Sequence, residues 1–198
     1  MEIQTYRVGQ LRTNCYLLVA TTSDQCLIVD PGDDADLIGS EIMRQNLEPQ
    51  MILATHGHYD HILGAQELQL AFNIPFFVHQ KDEFLVRELK KRTQHWSKQE
   101  IIEQPPKINS YLHNGQIFDL GEKQLKVIHT PGHTPGGVCF KVMDDQKVLT
   151  GDTIFDGAVG RTDLSYSSAQ DLKKSIEKLK QECTGHHAFP GHGRDFWL

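Results

Sequence analysis

Thr55-His56-Gly57-His58-Tyr59-Asp60-His61 places three imidazoles and a carboxylate within six positions, directly after the apolar run Met51-Ile52-Leu53-Ala54. Imidazole favours zinc and neighbouring transition metals, and a carboxylate adds a hard anionic oxygen, so the mixture suits a divalent ion poised for hydrolysis. Adjacent side chains point in different directions, and four donors this close cannot all serve one ion without severe strain. The segment therefore predicts two metals, with further ligands from elsewhere in the chain.

Three later segments repeat one arrangement: a strand-like run, a Gly- or Pro-bearing turn, and a donor. His133 lies in Thr130-Pro131-Gly132-His133-Thr134 after Leu125-Lys126-Val127-Ile128. Asp152 lies in Gly151-Asp152-Thr153 after Lys147-Val148-Leu149-Thr150, and His192 lies in Pro190-Gly191-His192-Gly193 after Ala188-Phe189. Strands ending in such turns place residues at the carboxyl edge of a sheet, where α/β proteins build their sites. Glycine beside a donor lets backbone and ligand approach closely. His56, His58, Asp60, His61, His133, Asp152 and His192 are thus expected to meet along one sheet edge. His79, His95, His113, His129, His186 and His187 lack that context and read as surface or packing residues.

Asn14 to Ala20 and Cys26 to Asp30 read as strands joined by a polar turn, the second ending in Asp30-Pro31-Gly32-Asp33. Leu37, Ile38, Ile42, Met43 and Leu47 recur at helical spacing behind a cap at Asp33 or Asp34. After the strand leading to His56, a helix is predicted from about Ile62 to Phe72, then a strand over Phe76-Phe77-Val78. Lys81 to Gln104 is charged, with Phe84, Leu85, Leu89, Trp96 and Ile101 widely spaced before Pro105-Pro106, and reads as a helical insertion on the surface or over the site, either a solvated helical pair with one apolar face or a segment in contact with substrate. Strands follow over 116–120, 124–130, 138–143 and 147–150, with turns at Gly121 and Asp144-Asp145. Ser168 to Lys180 reads as an amphipathic helix with Leu172, Ile176 and Leu179 on one face. The pattern predicts one domain over 1–198, two packed sheets flanked by helices, with a helical insertion over about 80–106 and the donors at the seam.

A chain of 198 residues buries roughly 70% of its unfolded surface without staples, so it needs no metal merely to hold together. The formal net charge of −6 argues against a general electrostatic grip on nucleic acid or anionic membrane. No apolar run approaches the roughly 20 residues of a membrane span, and Met1-Glu2-Ile3-Gln4-Thr5-Tyr6 has no basic-then-apolar leader pattern. Small-molecule chemistry in the cytoplasm is the expectation. Cys15, Cys26, Cys139 and Cys183 form no CxxC pair and read as buried reduced thiols.

The ordered set His-x-His-x-Asp-His, His133, Asp152 and His192 resembles the metallo-β-lactamase superfamily, whose fold is an αββα sandwich. Asn14-Cys15-Tyr16, Asp30-Pro31-Gly32, Thr130-Pro131-Gly132-His133-Thr134, Gly151-Asp152-Thr153-Ile154-Phe155 and Gly160-Arg161-Thr162-Asp163 narrow the likeness to the glyoxalase II branch, the hydroxyacylglutathione hydrolases, especially its short bacterial forms. The likeness runs over nearly the whole chain. It implies two divalent ions per chain, zinc with iron or manganese as alternatives: His56, His58 and His133 on the first, Asp60, His61 and His192 on the second, and Asp152 bridging. Asp30 is either the residue that supports the metal loops in this family or a plain Asp-Pro-Gly turn. Arg161 either binds a substrate carboxylate or pairs internally with Asp163 or Asp156.

The implied reaction is hydrolysis of S-lactoylglutathione or a related hydroxyacyl-glutathione thioester. Two ions roughly 3.5 to 4 Å apart share a water and lower its pKa toward about 7. The resulting hydroxide attacks the carbonyl carbon, while Asp60 or Asp152 orients it and receives its proton. A thiolate, with a thiol pKa of about 8.5, leaves without a strong general acid. The alternative is a persulfide dioxygenase, which shares these motifs but uses one iron; the third reading is a metal-binding protein without turnover. Three departures concern the substrate. The chain stops six residues after His192, without the C-terminal helical domain with which longer members grip glutathione. Asp163 stands where they carry an aromatic contact, and Gly137 stands where many relatives carry a histidine.

Overall fold

The computed structural model describes residues 1–98 and 104–198. β1 (Glu2–Val8), β2 (Thr13–Val19) and β3 (Gln25–Val29) form an antiparallel meander. After α1 (Ala35–Arg44), β4 (Glu48–Leu53) joins β3 in parallel; after α2 (Tyr59–Ile62) and α3 (Ala65–Phe72), β5 (Phe76–His79) joins β4. A 3-10 turn (Gln80–Asp82), α4 (Glu83–Arg87) and α5 (Leu89–Ser97) lead on to β6 (Ile108–Leu112), parallel to β5. The second sheet takes β7 (Ile117–Leu120), β8 (Lys123–His129), β9 (Val138–Val142) and β10 (Lys147–Gly151) as an antiparallel run. A small hairpin of β11 (Ile154–Phe155) and β12 (Ala158–Val159) and the helix α6 (Ala169–Cys183) precede β13 (His187–Pro190), which lies parallel to β10 and carries β14 (Phe196–Trp197) at the edge.

The layers follow from strands whose two faces are both apolar, the composition expected of a sheet covered on both sides. Every residue of β2 is buried. Cys15, Leu17 and Val19 pack toward Ile38, Ile42 and Leu68 on the helix side, while Tyr16, Leu18 and Ala20 pack toward Leu125, Val127 and Phe140 of the other sheet. A third cluster joins Leu179 and Cys183 of α6 to Ile128, Cys139 and Val148. Helix, sheet, sheet, helix is the αββα sandwich that the sequence predicts. All four cysteines are buried and free. Among the described residues, no helix is long and apolar enough to cross a membrane.

Strand direction positions the site. β3, β4 and β5 are parallel, and β8, β10 and β13 run one way because β9 opposes both β8 and β10. Asp30 follows β3, His56 follows β4, His133 follows β8, Asp152 follows β10 and His192 follows β13. Backbone bonds clip the two sheets together at this edge, from Val138 N–H to Thr55 O at 2.8 Å and from Asn14 N–H to Gly191 O at 2.7 Å.

Several local features differ from expectation. α1 ends at Arg44, with Ala35, Ile38 and Ile42 buried, while Leu37 and Met43 are exposed and Leu47 lies beyond it. Asp34 occupies the N-cap but turns its carboxylate to Gly9 N–H, and no side chain caps the helix. The helix expected over 62–72 begins only at Ala65, after the separate turn α2, because the Gly64 N–H bonds to the Gly32 carbonyl instead of continuing the helical ladder. β1, β6, β11, β12 and β14 add strands beyond those predicted. Leu85, Val86 and Leu89 anchor the insertion; its residues 99–103, Ile101 among them, lie outside the described residues.

Candidate metal centre

Five imidazoles enter the carboxyl edge of the sandwich, and in each the outward nitrogen already has a partner. Nδ1 of His61 donates to Asp30 Oδ2 at 2.9 Å, Nδ1 of His133 to Arg161 O at 2.9 Å, and Nδ1 of His192 to Leu11 O at 3.1 Å. Thr55 Oγ1 donates to Asp30 and lies 3.1 Å from His56 Nδ1, where it accepts. His58 is reversed, with Nε2 2.9 Å from the Tyr166 hydroxyl. Partners that only accept fix the proton on the outer nitrogen and leave the inner one with a lone pair.

The inner nitrogens form two groups. Nε2 of His56 and Nε2 of His133 each lie 3.0 Å from Nδ1 of His58. The lone pairs of His56 Nε2 and His133 Nε2 both converge on His58 Nδ1, an arrangement that suits a cation among them. In the second group, Nε2 of His61 and Nε2 of His192 are 3.3 Å apart, with Asp60 Oδ2 at 3.5 Å and 3.2 Å from them. Asp152 stands between the groups. Its Oδ2 lies 3.5 Å from His133 Nε2 and 3.7 Å from His192 Nε2. Its Oδ1 lies 3.6 Å from His61 Nε2 and is buried without a hydrogen-bond partner. An unpaired buried carboxylate oxygen costs several kcal/mol, and neutral imidazoles with carboxylates are the donor set a divalent transition ion takes. All seven sequence-predicted donors are brought together here.

Asp30 supports both groups at once. It is fully buried; Oδ1 accepts Thr55 N–H at 2.7 Å, and Oδ2 accepts Thr55 Oγ1–H at 2.6 Å and His61 Nδ1–H at 2.9 Å. Asp30, His56 and His61 also lie close enough to hold an ion of their own, but Asp30 faces the outer, protonated side of His61 and is spent on these donors. Of the two sequence readings of Asp30, the geometry matches support of the metal loops.

Charge divides the imidazoles. Burial, reinforced by His61, holds His56 well below the ordinary imidazole range, and burial with His133 does the same to His58. Burial would also lower His61, but Asp60, Asp152 and Asp30 outweigh it and push it up to about 10. A group whose folded pKa lies above its unfolded value of about 6.5 stabilises the fold below that value and loses the contribution as pH rises through the folded pKa. Chelator-treated protein is therefore expected to melt at progressively lower temperature from about pH 7 to about pH 10, and more steeply than zinc-loaded protein, in which an ion would take the proton's place and only groups such as the buried thiols, pushed up by burial, add a loss above about pH 8.5. Thermal melts across that range check it; a flat metal-free profile refutes the linkage.

Beside the two groups opens a cavity of about 320 Å³ whose walls include Arg92, Trp96, Arg161, Leu164 and Tyr166. The Arg92 guanidinium lies 5.4 and 5.3 Å from the ring centres of Phe84 and Tyr166, donates to Glu88 at 2.6 Å, and has its Nε buried without a partner. Arg161 lies 5.5 Å over Trp96 and pairs bidentately with Asp163 through two bonds of 2.7 Å. Asp156 pairs with Arg194 instead. Gly137 sits in the turn after His133, where a side chain would stand 2.9 Å from the Thr130 carbonyl.

Sequence reasoning missed Thr55, Asp82, Arg92 and Tyr166. Thr55 alone carried a signal, as the residue before the first histidine. The others lie in segments without a motif and reach the centre only through folding, as in the contact of Tyr166 with His58, 108 positions apart.

A sequence profile described as the metallo-β-lactamase superfamily matches residues 8–192. An uncharacterised protein of Mycobacterium leprae is 37% identical over 98% of this chain and 92% of its own length. The probable metallo-hydrolase YqgX of Bacillus subtilis is 33% identical over 98% of this chain and 90% of its own. Hydroxyacylglutathione hydrolase GloC of Haemophilus influenzae is 30% identical over 89% and 82%. Among solved structures, the B3 metallo-β-lactamase BLEG-1 matches with a TM-score of 0.90 at 27% identity, covering 99% of this chain and 94% of that one. TTHA1623, solved in a di-iron-bound form, matches with a TM-score of 0.88 at 29% identity, covering 98% and 94%.

Proposed function

Because this chain belongs to the metallo-β-lactamase superfamily of metal-dependent hydrolases, we propose that it hydrolyses thioesters of the hydroxyacyl-glutathione kind with two divalent ions, zinc before iron or manganese. His56, His58 and His133 hold one ion, Asp60, His61 and His192 hold the other, and Asp152 serves both. The observation that carries this reading is Asp152, whose Oδ2 reaches His133 of one group and His192 of the other, while its Oδ1 faces His61 and has no hydrogen-bond partner. When bound, the ions supply Lewis acidity and an activated water at neutral pH. Asp60 accepts Thr13 Oγ1–H at 3.1 Å, which fixes the carboxylate where it would help hold the second ion, orient a water there and take its proton. A thiolate leaves without a strong general acid, so no further titrating group is required. The name of the Haemophilus relative supports the glutathione thioester, and the di-iron form of TTHA1623 keeps iron among the metals to assay.

A glutathione thioester carries carboxylates, and Arg92 and Arg161 line the cavity as their partners. A substrate carboxylate would displace Asp163 from Arg161. That exchange costs little, because the Arg161 side chain is 51% exposed and exposed pairs contribute about 0 to 1 kcal/mol. Arg92→Met is expected to raise KM for S-lactoylglutathione about tenfold, equivalent to about 1.4 kcal/mol, with kcat unchanged. An uncharged acyl thioester should not feel the change; equal losses on both substrates would remove Arg92 from substrate recognition.

Metal analysis followed by turnover of S-lactoylglutathione on the same sample tests the whole reading. Two ions per chain with thioester cleavage are expected. One iron per chain with oxygen uptake on a persulfide and no cleavage would identify a dioxygenase instead, and bound metal without either turnover a binding protein.

A further inference from the structure

Asp82 lies outside every donor group, yet it touches both loops that carry the first. It closes the 3-10 turn after β5 and is fully buried. Oδ2 accepts Gly57 N–H at 3.0 Å and Thr134 Oγ1–H at 2.7 Å; Oδ1 accepts Gly136 N–H at 2.6 Å. Gly57 lies between His56 and His58, and Thr134 follows His133. One carboxylate on the first sheet therefore ties the loop after β4 to the loop after β8, which belongs to the second sheet.

We infer that Asp82 is a positioning residue that sets the spacing of His56, His58 and His133 by clamping their two loops. Three features make the clamp specific. All three partners are donors, so the site takes a carboxylate; an amide of the same shape would turn its own N–H toward one of them and leave a buried donor unmatched. Both backbone partners are glycines, and the fit leaves no room for side chains. A Cβ on Gly57 would lie 2.8 Å from Leu85 Cβ and 3.2 Å from Asp82 Cβ, and one on Gly136 would lie 2.6 Å from Asp82 Cγ. Asp82 is also held from behind, because Leu85 and Val86 of the adjoining α4 are buried. Nothing comparable joins Asp82 to Asp60, His61 or His192 among the described contacts, so its influence falls on one ion group. Outer contacts that orient ligands typically change metal affinity 10- to 100-fold.

The inference rests on the two-ion reading, and one titration separates the two. Full-length wild-type protein loaded with zinc is titrated with a chelator to give the affinity of each ion, alongside thermal melts of the metal-free protein. Wild type holding a single ion would overturn the two-ion reading itself. With two ions in wild type, Asp82→Asn is expected to weaken one of them about 10- to 100-fold and to leave the other within about threefold. Equal weakening of both ions, or of neither, overturns the clamp and leaves Asp82 a stability residue whose loss shows in the metal-free melt alone. If Asp82→Asn does not fold, Thr134→Val removes one of the three hydrogen bonds at nearly constant volume. It is expected to weaken the same ion by a few-fold; unchanged affinities for both ions in Thr134→Val overturn the inference.

Discussion

Asp152→Ala is expected to retain at most one ion per chain and to lose at least about 10³-fold in kcat/KM on any thioester the wild type turns over, about 4 kcal/mol of transition-state stabilisation. The reason is geometric. Asp152 reaches His133 Nε2 at 3.5 Å in one group and His61 Nε2 at 3.6 Å in the other. It is also one of three carboxylates that hold a positive charge at His61, so its removal weakens the second group's preference for a cation as well as deleting a ligand. The variant is expected to fold, because the fully buried strand residues Val148 and Leu149 that lead into this loop are untouched. Asp152→Asn retains shape and one acceptor oxygen while turning an N–H2 toward the other group, and should fall between wild type and alanine. Metal content, melting temperature and turnover on one preparation decide the matter. Two ions and undiminished rate in Asp152→Ala would remove the residue from the centre.

Asp30→Ala is the change with the largest expected effect on stability. It strips the acceptor from Thr55 N–H, from the Thr55 hydroxyl and from His61 Nδ1–H, all buried. Removing one partner of a buried, hydrogen-bonded pair costs about 3 to 5 kcal/mol, or roughly 6 to 20 °C in Tm for a chain of this size. Alanine adds strain, because Asp30 sits at φ +50°, a conformation that aspartate tolerates better than alanine does. Both ions should also bind more weakly, since Asp30 orients His61 directly and His56 through Thr55. Thermal melts with and without zinc measure the two effects separately. A Tm within about 2 °C of wild type, corresponding to about 0.5 to 1 kcal/mol, would mean that Thr55 and His61 find other acceptors.

The donors were legible because each sits in a local signature: apolar strand, Gly or Pro turn, ligand. The sheets were legible for the same reason, as β2, β3 and β8 to β10 have apolar patterns that need no partner to be seen. β1 shows a mostly polar, half-exposed pattern and becomes a strand by pairing with β2. The break between α2 and α3 was hidden because the Gly64 N–H finds its partner in the Gly32 carbonyl, far outside a local window. Arg92, Tyr166 and Asp82 are harder still. Arg92 meets Tyr166 only in the fold, the partners of Tyr166 and Asp82 lie far along the chain, 25 positions from Asp82 to Gly57, and nothing within a local window marks a tyrosine or an aspartate as the neighbour of a histidine loop. For Arg161 the sequence left two roles open, and the fold supplies both an internal partner, Asp163, and a place on the cavity wall.

The clip between β2 and the loop after β13 gives the two donor groups different histories. Those of the first group, His56, His58 and His133, are all present once the chain has been made as far as the loop after β8. The second group waits for His192, whose loop is held by Asn14: its side chain donates to Pro190 O and to Gly193 O, the latter 179 positions away. A ribosome releases the first half first, and the loop closed by the second group is longer than the 75 positions between His58 and His133, so it costs somewhat more chain entropy. The donors are therefore completed in order, the first group before the strand that carries His192 exists and the second only when the two ends of the chain meet.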